Sequence, residues 1–170
     1  GLHVTGESTL TFNSGEISYN QASEMGGGIH SSRGCDLNLN GGEMKGNVVY
    51  GKGGAINMSV GCELTLNGTN VIDNQTYTGY KYNDPNITPG YNSAQEMTFT
   101  LPAHSALTYD SSIKPYNGYG GGISVDAGTC TIQNNSIISG NHAAYDGGGI
   151  ALIITKYESG AKVPTLTMVN

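Results

Sequence analysis

The chain of 170 residues has no tryptophan, two phenylalanines, a single arginine (Arg33) and charged side chains at only 12% of its positions. A typical globular domain carries roughly 25% charged residues. With so few cations and a formal net charge of −6, a phosphate-tracking surface is excluded, because nucleic-acid affinity depends on clustered Lys and Arg. No apolar run approaches the roughly 18 residues that a membrane-spanning helix needs. The three cysteines show no CxxC or Cys/His spacing, which removes a zinc site. Lys and Glu, the good surface helix formers, are scarce. Present instead are 27 glycines and many Asn, Thr and Ser, the composition of a turn-rich, all-β chain. Collagen is excluded by the lack of a Gly-X-Y period, and disorder by the even spread of apolar residues.

Self-comparison reveals a period of 27 residues, the signature of a repeat architecture. Ile29 is followed by Ile56, and Ile123 by Ile150, each preceded by GGG or GGA. Between Ile56 and Ile123 the shift is 67, one period plus a 40-residue insertion. Three further columns keep the same frame: Asn13, Asn40, Asn67 and Asn134; Asn20, Asn47, Asn74 and Asn141; Ile17, Met44, Val71 and Ile138. Gly1, Leu2 and His3 overlay Gly28, Ile29 and His30, and Leu166, Met168 and Asn170 resemble Leu10, Phe12 and Asn13. Both ends therefore fall within the repeat, so a piece of a longer solenoid, with flanking coils of the parent protein, is expected.

Leu10 with Phe12, Leu37 with Leu39, and Leu64 with Leu66 alternate with polar residues, the period of a strand with one wet face. Three such strands per coil, each pairing in parallel with its copy one coil away at about 4.8 Å, make a parallel β-helix. The expected fold is one domain over residues 1–170, with stacked Leu, Ile, Val and Met as its core. Both asparagine columns are read as structural ladders, in which stacked amides bond from coil to coil and satisfy turn backbone. The fourth coil slips by one residue, Cys130 and Ile132 taking the apolar parity early, and a small bulge is expected to absorb it.

"GNVVYGKGGAI", Gly46 to Ile56, has the outline of a phosphate-binding loop but lacks the Ser or Thr after Lys52 and the helix that should follow. The repeat explains it better. At the position of Lys52 the other copies have Met25, Tyr119 and Asp146, so the glycines are assigned to a tight corner before a strand.

Gly53-Gly54-Ala55-Ile56 resembles the GGA(I/L/V) half of the repeat pair of polymorphic outer-membrane proteins, and the I/M/V-x-x-N columns look like its FxxN half. Three copies read GGGI rather than GGAI, and none of the xxN motifs begins with Phe. The resemblance implies a right-handed β-helix and an adhesin or passenger role at a bacterial cell surface. The address is then extracellular or cell-surface, by export signals outside this segment.

Cys35 and Cys62 occupy equivalent places in adjacent coils, which allows either a disulfide or a ladder of small buried thiols. Glu16 lies over Glu43 and Asp36 over Glu63, close enough to share a proton or cation in a carbohydrate-active enzyme, or simply to be solvated. His30, His104 and His142 stand in no readable sequence motif with an acid or nucleophile. Thr9/Thr11, Thr129/Thr131 and Thr165/Thr167 form T-x-T pairs, interrupted by Asp36/Asn38 and Glu63/Thr65. No cofactor and no metal are expected.

The insertion, about residues 76–118, is the strongest functional lead. From Thr76 to Tyr119 the chain holds seven of its eleven tyrosines and four of its five prolines, and loops of this length are usually functional or disordered. Tyr77, Tyr80, Tyr82, Tyr91, Tyr109, Tyr116 and Tyr119 supply rigid amphipathic contact area or brace the insertion against the solenoid. The expectation is a non-enzymatic binding module for a host glycan or protein, with a β-helix polysaccharide lyase or hydrolase and a structural stalk as alternatives.

Overall fold

The computed structural model describes residues 1–77, 118–157 and 160–169, and every regular element among them is a β-strand. The first sheet stacks β1 (Leu2–Thr5), β5 (Ile29–Ser32), β9 (Ile56–Met58), β13 (Ile123–Asp126) and β16 (Ile150–Ile153), all parallel. The second stacks β2 (Thr9–Phe12), β6 (Asp36–Leu39), β10 (Glu63–Asn67), β14 (Thr129–Gln133) and β19 (Thr165–Met168). A third holds β3 (Glu16–Ser18), β7 (Glu43–Lys45), β11 (Asn70–Ile72) and β15 (Ile137–Ser139). A fourth, of two-residue strands, holds β4 (Gln21–Ala22), β8 (Val48–Val49) and β12 (Gln75–Thr76). This last sheet corrects the expected three strands per repeat. Val48 and Val49 are both buried, so so short a strand shows no alternation to read. A small antiparallel hairpin, β17 (Thr155–Tyr157) with β18 (Gly160–Lys162), accounts for the extra residues before β19.

Each strand is specified by alternation, and the register turns that alternation into columns. Leu10, Leu37, Leu64, Cys130 and Leu166 pair in line, as do Phe12, Leu39, Leu66, Ile132 and Met168. Leu37, Leu39, Leu64 and Leu66 are at most 1% exposed, and with Ile29, Met44, Ile56, Met58, Val71, Ile123 and Val125 they form one core.

The one-residue slip is handled in the turns rather than by a bulge. Glu63 pairs with Thr129, a shift of 66, whereas Ile56 pairs with Ile123 and Asn70 with Ile137, shifts of 67. The turn through Ala127 and Gly128 is one residue shorter than its predecessor. The turn through Asn134 and Asn135, both at positive φ (52° and 59°), is one longer and restores the frame.

The asparagine columns are hydrogen-bonded ladders of opposite polarity. In the inner one, the backbone N and Nδ2 of Asn20 both donate to Asn47 Oδ1 (3.1 and 2.9 Å), those of Asn47 to Asn74 Oδ1 (2.9 and 2.9 Å), and those of Asn74 to Asn141 Oδ1 (3.0 and 2.9 Å). Nδ2 also donates to carbonyls of the preceding repeat: Asn47 to Ile17, Asn74 to Met44, Asn141 to Val71, at 2.7–2.9 Å. The backbone donors fix which end of each amide is oxygen. In the outer ladder Asn40 Nδ2 donates to Asn13 Oδ1 (3.1 Å), Asn67 Nδ2 to Asn40 Oδ1 (3.3 Å), and Asn134 Nδ2 to Asn67 Oδ1. Among the described residues no backbone donor anchors that ladder, and Asn13, Asn40 and Asn134 are exposed.

Burial therefore separates the two. Asn47 and Asn74 are fully buried, and removing one amide orphans two donors and one carbonyl, at about 1–3 kcal/mol for each buried group left unpaired. Asn47→Leu should lower the urea midpoint severely or prevent folding, while Asn40→Ala shifts it by less than about 1 kcal/mol equivalent; equilibrium denaturation measures both.

Candidate binding faces

The glycines before each first-sheet strand set the geometry of this side of the molecule. Gly53 has φ +70°, and a Cβ on Gly54 would lie 2.0 Å from the carbonyl oxygen of Gly121 in the next repeat. Successive corners thus approach backbone to backbone, which only glycine allows. Lys52, at that corner, reaches across to β13: its Nζ is 2.7 Å from Asp126 Oδ2, with the two side chains 12% and 10% exposed. Ser124 Oγ donates to Asp126 Oδ1 at 3.3 Å. The lysine that gives the segment its phosphate-loop outline is thus half of an enclosed ion pair, and removal of either partner would strand the other charge at a cost of about 3–5 kcal/mol.

The same sheet carries an outward polar row. His3, His30, Asn57 and Ser124 share one register column. His3 and His30 stack with ring centroids 4.9 Å apart at 26°, and His30 Nδ1 lies 2.9 Å from Asn57 Oδ1. Asn57 and Ser124 are fully buried although they point away from the core, and Asn57 Nδ2 has no hydrogen-bond partner among the described residues. The sequence frame already overlays His3 on His30, so alternate positions of this column were readable as polar. The ion pair, across 74 residues, was not.

The roots of the insertion form a second feature. Tyr77 N donates to Val49 O (2.8 Å), and Tyr119 O accepts from Gly53 N (2.9 Å), so both roots are tied to the preceding repeat. Thr76 N donates to His142 O at 2.9 Å and Ala144 N to Thr76 Oγ1 at 3.2 Å, so the next repeat closes directly against this one. Tyr77 stacks on Tyr50 (5.5 Å, 30°) and Tyr119 meets Tyr145 edge-on (5.3 Å, 87°). Tyr77 is 4% exposed with its hydroxyl unpartnered among the described residues, and burial, then the neighbouring Tyr50, pushes its pKa up to about 12. Tyr77 is therefore a packed root residue, while Tyr119 is half-buried and Tyr145 half-exposed. Tyr80, Tyr82, Tyr91, Tyr109 and Tyr116 lie outside the described residues, as does His104.

The remaining candidates are dispersed. Glu16 pairs in register with Glu43, and Asp36 with Glu63, but Glu16, Asp36 and Glu63 are exposed and Glu43 meets only Lys45 at 4.0 Å among the described ion pairs. Glu63 and Thr129 line a cleft of about 310 Å³ at the shortened turn, together with Cys62. Cys35 and Cys62 are free, fully buried thiols, not a disulfide. Equivalent side chains on in-register parallel strands stand about 4.8 Å apart, wider than the 3.5–4.5 Å between Cβ atoms that a bridge prefers. Burial pushes the Cys130 thiol up to about 12. The T-x-T pairs are not interrupted by the insertion, since β10 pairs directly with β14, but Asp36 and Glu63 still stand in their column. Among the described residues no cluster of three or more His, Cys, Asp or Glu could hold a metal, and no helix is long and apolar enough to cross a membrane. No known protein family, curated protein or solved structure matches the chain.

Burial lowers the pKa of His30, with His3 acting in the same direction, against the Asn57 hydrogen bond and the Asp126 charge. The fold thus favours the neutral ring, a contribution present above the unfolded value of about 6.5 and lost as pH falls through the lower folded value. Thermal stability should decline on acidification below about pH 6.5, and His30→Gln should flatten that decline; melting curves from pH 5 to 8 measure it.

Proposed function

We propose that the chain is a right-handed parallel β-helix of the polymorphic outer-membrane-protein type, a segment of an exported bacterial surface protein that acts as a non-enzymatic binding module for a host glycan or protein. Support for the fold comes from the in-register parallel stacking of all four sheets at one 27-residue period. Support for the function comes chiefly from one observation. A 40-residue, tyrosine-rich insertion leaves after Tyr77 and returns by Gly118, yet β9 pairs with β13 and β10 with β14 as though nothing intervened. A framework that closes beneath an insertion does not need it for register, and segments carried on rigid frameworks are where recognition concentrates. Tyr80, Tyr82, Tyr91, Tyr109 and Tyr116 are then the contact residues, with Tyr77 and Tyr119 anchoring the roots.

One observation favours a carbohydrate-active enzyme as the second reading: Glu63, in register with Asp36, lines the cleft. Glycan and host-protein arrays probed with the intact chain separate the two. The binding reading predicts a retained ligand whose signal falls at least tenfold in the Tyr80→Ala/Tyr82→Ala/Tyr91→Ala variant, with an unchanged melting curve. Cleavage of a polysaccharide, lost in Glu63→Gln, would replace it with the enzyme.

A further inference from the structure

The outer asparagine ladder carries one reactive dipeptide twice. Asn40 is followed by Gly41 and Asn67 by Gly68, at equivalent places one repeat apart; a third such pair, Asn117 with Gly118, has its asparagine outside the described residues. A glycine has no Cβ to shield its backbone nitrogen, so that nitrogen can attack the side-chain amide of the asparagine before it. By sequence alone Asn40 and Asn67 are chemical equals.

The fold separates them. Gly41 N donates to Thr69 Oγ1 at 3.1 Å, and that hydroxyl, on a fully buried side chain, donates to Leu39 O at 2.7 Å. Gly41 is half-buried, and a Cβ on it would lie 2.9 Å from Asn13 O in the preceding repeat. The nucleophile of the first pair is thus locked in a packed corner. Gly68, by contrast, is exposed, and its N–H donates to Gln133 O at 3.3 Å, beyond the usual range for such a bond. The nearest atom to a Cβ on Gly68 would be Asn134 O at 3.5 Å. The leaving nitrogen is looser as well: Asn67 Nδ2 lies 3.3 Å from Asn40 Oδ1, whereas Asn40 Nδ2 lies 3.1 Å from Asn13 Oδ1. Asn134 Nδ2 donates to Asn67 Oδ1, the oxygen on which negative charge grows as a nitrogen adds, and a donor aimed there stabilises that charge.

We infer that Asn67 is a site of spontaneous deamidation in the folded protein, and that Asn40 is protected from the same reaction by the Thr69 hydroxyl. When the turn opens locally, hydroxide removes the Gly68 amide proton and the nitrogen bonds to Asn67 Cγ. The Cγ–Nδ2 bond then breaks, and Nδ2 leaves as ammonia with a proton taken from water. A second water opens the resulting five-membered imide at Cγ or at the main-chain carbonyl carbon, giving aspartate or isoaspartate at position 67. Either product loses the donor to Asn40 Oδ1, which cuts the outer ladder between its second and third members and adds one negative charge to that corner. The inner ladder is untouched.

Peptide mapping by mass spectrometry, after incubation of the intact chain at pH 8.5 and 37 °C, tests this against the same chain unfolded in guanidinium chloride. Unfolded, Asn40 and Asn67 should react at comparable rates. In the folded chain Asn67 should convert at least tenfold faster than Asn40, with isoaspartate detected at position 67. Thr69→Val, which removes the hydroxyl, should raise the Asn40 rate toward that of Asn67, while Thr69→Ser should keep Asn40 protected. Equal rates at Asn40 and Asn67 in the folded chain overturn the inference, as does an Asn67 that stays intact when folded while reacting when unfolded. A folded Thr69→Val chain whose Asn40 reacts as slowly as in the natural sequence overturns the role of Thr69; if that variant does not fold, the ratio of the two rates in the unmutated folded chain decides.

Discussion

The inner asparagine ladder is the interaction on which the rest of the structure depends. A parallel stack of short strands has a weakness at its corners, where backbone donors turn away from the ladders and would be buried unpaired. Asn20, Asn47, Asn74 and Asn141 meet that need with one side-chain type: each carbonyl oxygen from Asn47 onward accepts two N–H groups from the repeat before it. An aspartate would lose the donor half and a leucine both halves. Asparagine is therefore required at each level, and the 27-residue period follows from placing it at the same corner.

With that corner fixed, the glycine corner can be tight. Gly54 lies so close to Gly121 that a methyl group would collide with backbone, a spacing that holds only if successive repeats stay in register. Register also lets one repeat carry a long insertion: the ladder from Asn74 to Asn141 spans it with bonds of 3.0 and 2.9 Å, against 2.9 and 2.9 Å from Asn47 to Asn74. The energy of closing a longer loop grows only slowly with its length, so a framework pinned on both sides tolerates forty extra residues.

Much of this was legible in the sequence, because a repeat shows its columns directly. The core positions Leu37, Leu64, Met44 and Val71, and both asparagine ladders, follow from a period found by self-comparison. The fourth sheet was not legible, since two buried valines carry no alternation. Nor was the way the slip at Cys130 is absorbed: an apolar pattern records which residues face inward, not whether a strand bulges or a turn shortens. Lys52 and Asp126 were invisible as a pair because they sit in different columns on opposite sides of the insertion. Composition left Tyr77 between a contact and a brace, and its packing against Tyr50 was not readable from it.

Amide hydrogen exchange tests the central role of the inner ladder most directly. Backbone N–H groups of Asn20, Asn47 and Asn74 bond to side chains rather than to a strand, so ordinary turn amides would exchange within local fluctuations. If the ladder holds the repeats together, Asn47 and Asn74 amides exchange only through global unfolding, as slowly as those of core residues such as Leu64 and Val71. Exchange of Asn47 and Asn74 at the rate of the exposed outer turns, with the core still protected, would contradict the account.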